Sequence, residues 1–159
     1  TGSVFAVQRA GVIRQIGERG LVLGDEASGA WIGRAVLAAS LRAVDGFTAM
    51  TPLLAAFLDE LGGPDGVVAF SLRARPADFA ALAPRVVESG DPAARAVMAR
   101  AEADVVEAVG LLRGDDDLPV VFLGGLGTAF AARMAGRCAI RAARGTALDG
   151  ALMLAREAA

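Results

Sequence analysis

The chain contains no histidine, no tyrosine and no lysine, and only one cysteine and one tryptophan. Without histidine there is no Ser-His-Asp or Cys-His catalysis and no His-ligated metal centre. The lone Cys138 excludes an internal disulfide and a four-cysteine zinc site, and its plainest role is that of a small buried side chain. All 16 basic residues are arginine, scattered singly, which is the pattern of a solvated, salt-bridged surface. With a net charge of −2 and an isoelectric point near 5.1, the chain carries no electrostatic footprint for nucleic acid. Long hydrophobic runs are missing too. Mean hydropathy is +0.50, yet the longest uncharged stretch, Leu118 to Ala132, includes a proline and three glycines. It falls short of the ~20 apolar residues a membrane-spanning helix needs. No signal-peptide pattern opens the chain, so the expectation is a cytoplasmic globular domain with neither a nucleic-acid nor a membrane partner. Chemistry in such a chain must run on carboxylates, backbone amides, hydroxyls and a bound cation. Phosphoryl transfer suits that set, because positioning and charge stabilisation supply most of its catalysis.

What is present is an alternation of two periods. The 159 residues, 55% hydrophobic and 21% charged, suffice for one domain with a core. Val4 to Val7 reads as a largely buried strand, Arg9-Ala10-Gly11 as a turn, and Val12, Ile13 and Ile16 as the return strand of a hairpin. Near Gly24 the pattern switches to a helical period. A helix is expected from Ser28 to Ala43, ended by Asp45-Gly46, with Ile32, Ala35, Val36 and Ala39 on one face. A second runs from Thr51, with Pro52 at its first position, to Leu61, closed by Gly62-Gly63-Pro64. Asp65 to Leu72 is a short helix or a strand. Pro76 to Glu88 and Asp91 to Arg113 complete a helical insertion, the latter with Ala94, Val97, Ala101, Val105, Ala108 and Leu112 along one face. Pro119 to Leu123 reads as an apolar strand expected in one sheet with the hairpin, and a helix follows from Thr128. The acidic loop Gly114 to Asp117 could bind a metal through its carboxylates, but a solvated turn is the favoured reading.

Two glycine-rich segments carry chemistry. In Gly24 to Gly33, Asp25 and Glu26 stand just ahead of a helix whose N-cap is Ser28. Carboxylates beside free backbone N–H groups can take several hydroxyl hydrogen bonds at once, as a sugar requires; the plain alternative is a well-capped helix start. In Val120 to Gly127 the apolar segment ends in Gly124, Gly125 and Gly127 before a helix, an arrangement that brings backbone N–H groups up to a phosphate or nucleotide. Trp31 can stack on a sugar face or anchor the helix in the core, and its spacing with Ala35 and Ala38 favours burial. Arg34 either orients Asp25 or Glu26 or faces water.

Taken in order, these segments resemble the second half of the BadF/BadG/BcrA/BcrD-type ATPases, and within them the N-acetylglucosamine and glucosamine kinases. Thr1, Gly2 and Ser3 match a Gly-Thr-Gly-Ser phosphate motif that lacks its first glycine here. Gly24, Asp25, Glu26, Ser28, Trp31, Ile32 and Gly33 match the family's helix-entry segment, Val120 to Gly125 its adenosine motif, and Arg144 to Ala155 its final helix. Gly17-Glu18-Arg19-Gly20 departs from the glycine- and tryptophan-rich loop of relatives. The resemblance implies an α/β fold, a ribonuclease-H-like lobe of the sugar kinase, actin and heat-shock chaperone ATPase superfamily with a helical insertion, residues 1–159 forming the C-terminal lobe. It implies ATP and Mg2+ as cofactors, with Thr1, Gly2, Ser3, Gly124, Gly125, Leu126 and Gly127 at the nucleotide. Gly24, Asp25, Glu26 and Ser28 would hold an amino sugar, phosphorylated at its 6-hydroxyl. The first phosphate loop and the general base of the family lie upstream of the motif at Thr1, so the expectation is an excised lobe, inactive alone, whose partner is the N-terminal lobe of the same protein; a homodimer is left open. The rival within the fold, an ATPase activator of radical acyl-CoA dehydratases or reductases, needs a cysteine pair for its iron–sulfur cluster, and Cys138 alone does not supply one. A regulatory module that keeps only the fold is the third reading.

Overall fold

The computed structural model describes residues 2–157 and divides the chain into two compact units, Thr1–Leu112 and Arg113–Ala159. The first unit opens with an antiparallel hairpin, β1 (Val4–Arg9) and β2 (Val12–Gly17), in register from Val4 opposite Gly17 to Arg9 opposite Val12. Ala10 and Gly11, both with positive φ (47° and 80°), form the connecting two-residue turn whose left-handed backbone matches the twist of the strands. Sequence places the hairpin correctly but overstates its burial. Val4 is 49% exposed, and only Phe5 and Val7 of β1 are half-buried.

A single turn, α1 (Gly20–Leu23), which the sequence reading left out, leads into α2 (Gly29–Val44). Ser28 caps α2, its hydroxyl accepting from the Trp31 N–H at 3.0 Å. Ile32 and Val36 are fully buried and Leu37 nearly so, while Ala35 and Ala39 are half-buried on the flank of that face. Burial of each large side chain contributes about 1.5–3 kcal/mol. The helices α3 (Pro52–Leu61), α4 (Gly63–Arg73), α5 (Pro76–Ala80) and α6 (Ala83–Val87) all pack on α2, which is the axis of this unit. Pro52 and the Thr51 cap start α3, and Gly62, at φ 84°, ends it, as the sequence predicts. Residues 65–72 are helical, inside α4. The expected continuous helix over 76–88 is two short ones. A single helix would put Pro84 in its interior, where the missing N–H and the ring break the hydrogen-bond ladder, so the chain restarts with Pro84 in a first turn. The long α7 (Pro92–Arg113) buries Ala94, Val97, Ala101, Val105 and Leu112 as expected, and also Met98; Ala108 is only half-buried.

The second unit holds α8 (Gly127–Arg133) and α9 (Ala147–Glu157). Residues 118–123 are extended, with Leu118, Val120 and Phe122 half-buried in alternation with exposed Pro119, Val121 and Leu123. They do not form the expected strand. Pairing is confined to Val120, whose N–H donates to Ala139 at 2.8 Å and whose carbonyl accepts from Arg141 at 2.9 Å, an isolated parallel bridge to Ile140. Among the described residues the sheet of the first unit is the two-stranded hairpin. Alternating apolarity prepares a segment for pairing, but the ladder is supplied by a neighbour that local sequence does not contain. Cys138, expected buried, is half-buried. No helix among the described residues is long and apolar enough to cross a membrane.

Candidate functional site

The loop Gly24–Ser28 carries unusual backbone strain. Asp25 (φ 59°) and Ala27 (φ 61°) are both in the left-handed region without being glycine, a conformation that costs about 1–2 kcal/mol for a residue such as alanine and less for aspartate. Strain of this kind persists where the surroundings over-determine it, and it clusters at ligand sites. Here the surroundings are specific. The Asp25 carbonyl accepts from the Ser28 N–H at 3.0 Å, the Glu26 carbonyl accepts from the Ser3 hydroxyl at 2.6 Å, and the Gly24 N–H donates to the Gly20 carbonyl at 2.8 Å. Gly24 is buried against Arg19, whose Cβ lies 3.0 Å from where a Gly24 side chain would begin.

Asp25 itself is only 6% exposed, and no described residue donates a hydrogen bond to its carboxylate. A methyl at Gly2 would stand 3.2 Å from Asp25 Oδ2, so the glycine lets the strand start pass close beside the carboxylate. Among the described residues no buried side-chain oxygen lacks a partner, so the Asp25 carboxylate oxygens reach solvent and can accept from a bound group. Structure thus brings together Gly2, Ser3, Gly24, Asp25, Glu26 and Ser28. Thr1 lies outside the described residues.

Glu26 also faces a cleft of about 550 Å³ walled by the hairpin, α1 and α7, where Trp31, Arg34, Arg100, Asp104 and Glu107 join it. Trp31 is 5% exposed and lies under the Arg100 guanidinium, 5.5 Å from the ring centre, so burial is the correct reading of the two, with one face toward the cleft. Arg34 is exposed, in line with the second of its two readings, and its guanidinium donates to the Leu21 carbonyl at 2.6 Å, which holds α1. Burial pushes the Asp104 carboxyl above its ordinary value, Arg100 opposes this, and the Glu26 and Glu107 charges add to the rise. Accepting carboxylates and donating guanidiniums around an aromatic ring suit a polar, hydroxyl-rich ligand. Arg100, Asp104 and Glu107 were missed from sequence. They sit on the polar side of α7, where a cleft-facing charge and a solvated one have the same pattern.

In the second unit, Gly124 adopts φ 81°, and added side chains at Gly124 or Gly125 would meet open space. Gly127 differs, for a side chain added there would begin 3.2 Å from the Phe122 carbonyl carbon. Leu126 precedes α8 without a side-chain cap. Two consecutive glycines with nothing above them leave backbone accessible to a planar or anionic ligand.

No family model matches the chain, and no curated protein matches it. Among solved structures it is similar to a proposed N-acetylglucosamine kinase from Chromobacterium violaceum, with 37% identity and a TM-score of 0.79 over 91% of this chain. The chain spans 52% of that protein's length. The two share a mixed, helix-rich α/β fold, and the neighbour is a kinase of the sugar class by its name.

Proposed function

We propose that the full-length protein is an ATP-dependent kinase of an amino sugar, N-acetylglucosamine or glucosamine, acting at the 6-hydroxyl, with this chain as its C-terminal ribonuclease-H-like lobe. The observation that carries this reading is Asp25: a residue nearly buried and held on a left-handed backbone, whose carboxylate oxygens still reach solvent and can take donors from a ligand. Sugar hydroxyls are donors of the right kind, and a carboxylate accepting two of them makes charge-assisted contacts worth roughly 1.5–3 kcal/mol each. Glu26 and the capped start of α2 at Ser28 stand beside it, with Gly24 setting the close turn into the loop. The likeness to a proposed N-acetylglucosamine kinase supports the same substrate class.

For the nucleotide, the open backbone at Gly124 and Gly125 fits an adenosine contact, with Leu126 and Gly127 continuing the segment. The backbone amides of Gly2 and Ser3 are the groups that would meet phosphate, and Thr1 belongs to the same motif. ATP supplies the phosphoryl group when bound. Mg2+ would be carried by the nucleotide phosphates plus one or two carboxylates. The test is sugar-dependent ADP release by the full-length protein with N-acetylglucosamine, glucosamine, glucose and no sugar. Release with an amino sugar above that with glucose is expected. Release independent of sugar would overturn the proposal.

A further inference from the structure

The hydroxyl of Ser3 has one proton, and that proton is already used. It points to the Glu26 carbonyl at 2.6 Å, across 23 residues of chain. What remains on this oxygen is acceptor capacity, which an anionic phosphate cannot use because its own oxygens are acceptors. The backbone of Ser3 is engaged as well, its carbonyl accepting from Glu18 N–H at 3.1 Å, and Glu18 is itself left-handed at φ 58°. One residue at the start of β1 therefore pins two strained segments: the loop after β2 through its carbonyl, and the Asp25 loop through its hydroxyl.

The second of these pins falls between the two left-handed residues. Asp25 and Ala27 flank Glu26, and the Glu26 carbonyl belongs to the peptide that joins it to Ala27. The Gly24 N–H on the Gly20 carbonyl holds the loop's entry; beyond it and the Ser3 hydroxyl, the loop is held by the Ser28 N–H on the Asp25 carbonyl and by the Ser28 cap on Trp31. Those two contacts fix the exit of the loop into α2. The Ser3 bond fixes the plane of the Glu26–Ala27 peptide, the second one after Asp25. Gly2 adds a steric side to the same brace, with Asp25 Oδ2, Cγ and Oδ1 at 3.2, 3.4 and 3.4 Å from the position of its missing side chain.

We propose that Ser3 is a positioning residue for Asp25, holding the carboxylate in its ligand-binding orientation through the Glu26 peptide and so tying the phosphate-motif strand to the sugar loop. The inference rests on the reading of Asp25 as the sugar ligand. It assigns the Ser3 side chain to the sugar rather than to ATP, although Ser3 lies in the phosphate motif.

The experiment compares Ser3→Ala, Ser3→Thr, Asp25→Asn and the Ser3→Ala/Asp25→Asn pair in the full-length protein, measuring KM for sugar, KM for ATP and Tm. Losing the brace should raise the sugar KM of Ser3→Ala roughly fivefold or more and leave the ATP KM within about twofold. Ser3→Thr keeps the hydroxyl and should restore the sugar KM. In the double variant the sugar KM should match that of Asp25→Asn alone, since a residue acting through another adds nothing once that one is neutralised. A Ser3→Ala protein with altered ATP KM and normal sugar KM overturns the inference. So does one in which both KM values rise together with a large fall in Tm, which makes Ser3 structural. Both outcomes leave the sugar reading standing if Asp25→Asn raises the sugar KM. An unchanged sugar KM in Asp25→Asn removes the reading itself.

Discussion

Gly33 on α2 faces the backbone carbonyl of Phe79 on α5, so closely that an added methyl would stand 2.7 Å from the carbonyl carbon and nearer still to its oxygen. Glycine in a helix interior costs about 1 kcal/mol relative to alanine, so propensity alone favours replacement. Contact decides otherwise. The obstacle is backbone, which cannot swing aside as a flexible side chain does, and overpacking of this kind costs about 1–3 kcal/mol, with a backbone clash at the upper end. Gly33→Ala is expected to lower Tm by roughly 5 °C or more. An unchanged or raised Tm would mean that α5 does not sit on α2 as described.

Asp91 joins two helix starts with one carboxylate. Oδ1 accepts from the Ala93 N–H at 2.8 Å at the start of α7, and Oδ2 accepts from the Leu53 N–H at 3.0 Å at the start of α3. Burial opposes ionisation, but the hydrogen bonds from Leu53, Thr51, Ala93 and Ala94 outweigh it and hold the carboxyl below its ordinary 3.8. A lowered folded value means that the contribution is complete above 3.8 and disappears as pH falls through the folded value. Asp91→Ala should therefore cost about 1–2 kcal/mol at pH 7. The gap to wild type should close in acid below that value. Urea titrations at several pH values check both parts.

Asp104 behaves in the opposite sense. With burial raising its value, the ionised form opposes folding above the folded value, and the penalty vanishes as pH falls to 3.8. Asp104→Asn should be as stable as wild type or slightly more so at pH 7, by no more than about 1 kcal/mol because the site is open to solvent. That advantage should be lost on acidification toward pH 4. Denaturant midpoints across the range measure it.

At Gly125 the structure leaves open space and an ordinary backbone angle, whereas Gly124 is left-handed. Valine at 125 can therefore be accommodated without strain while blocking approach to the backbone. Gly125→Val should keep Tm within about 2 °C and raise the KM for ATP roughly tenfold or more, or abolish turnover. Normal ATP kinetics would remove these glycines from the nucleotide site.

Local signals were legible where a single residue decides the outcome. Ser28, Thr51 with Pro52, and Gly62 set helix ends through caps formed within one turn, and Ala10-Gly11 sets the hairpin. Contacts between distant segments were not legible. Nothing near Ser3 shows that its hydroxyl reaches Glu26, and nothing near Gly33 shows a carbonyl from α5. Residues 119–123 have the alternation of a strand, but pairing depends on what lies alongside. Asp25 was singled out for being acidic ahead of a helix; its burial, left-handed backbone and lack of a donor belong to the fold.

The most direct measurement is the sugar KM of Asp25→Asn in the full-length protein, taken with the ATP KM and Tm. Asparagine nearly preserves shape but removes the charge and one acceptor. If Asp25 holds the sugar, the sugar KM should rise by about two powers of ten or more, with ATP KM and Tm close to wild type. A normal sugar KM would contradict the assignment of this loop to a sugar.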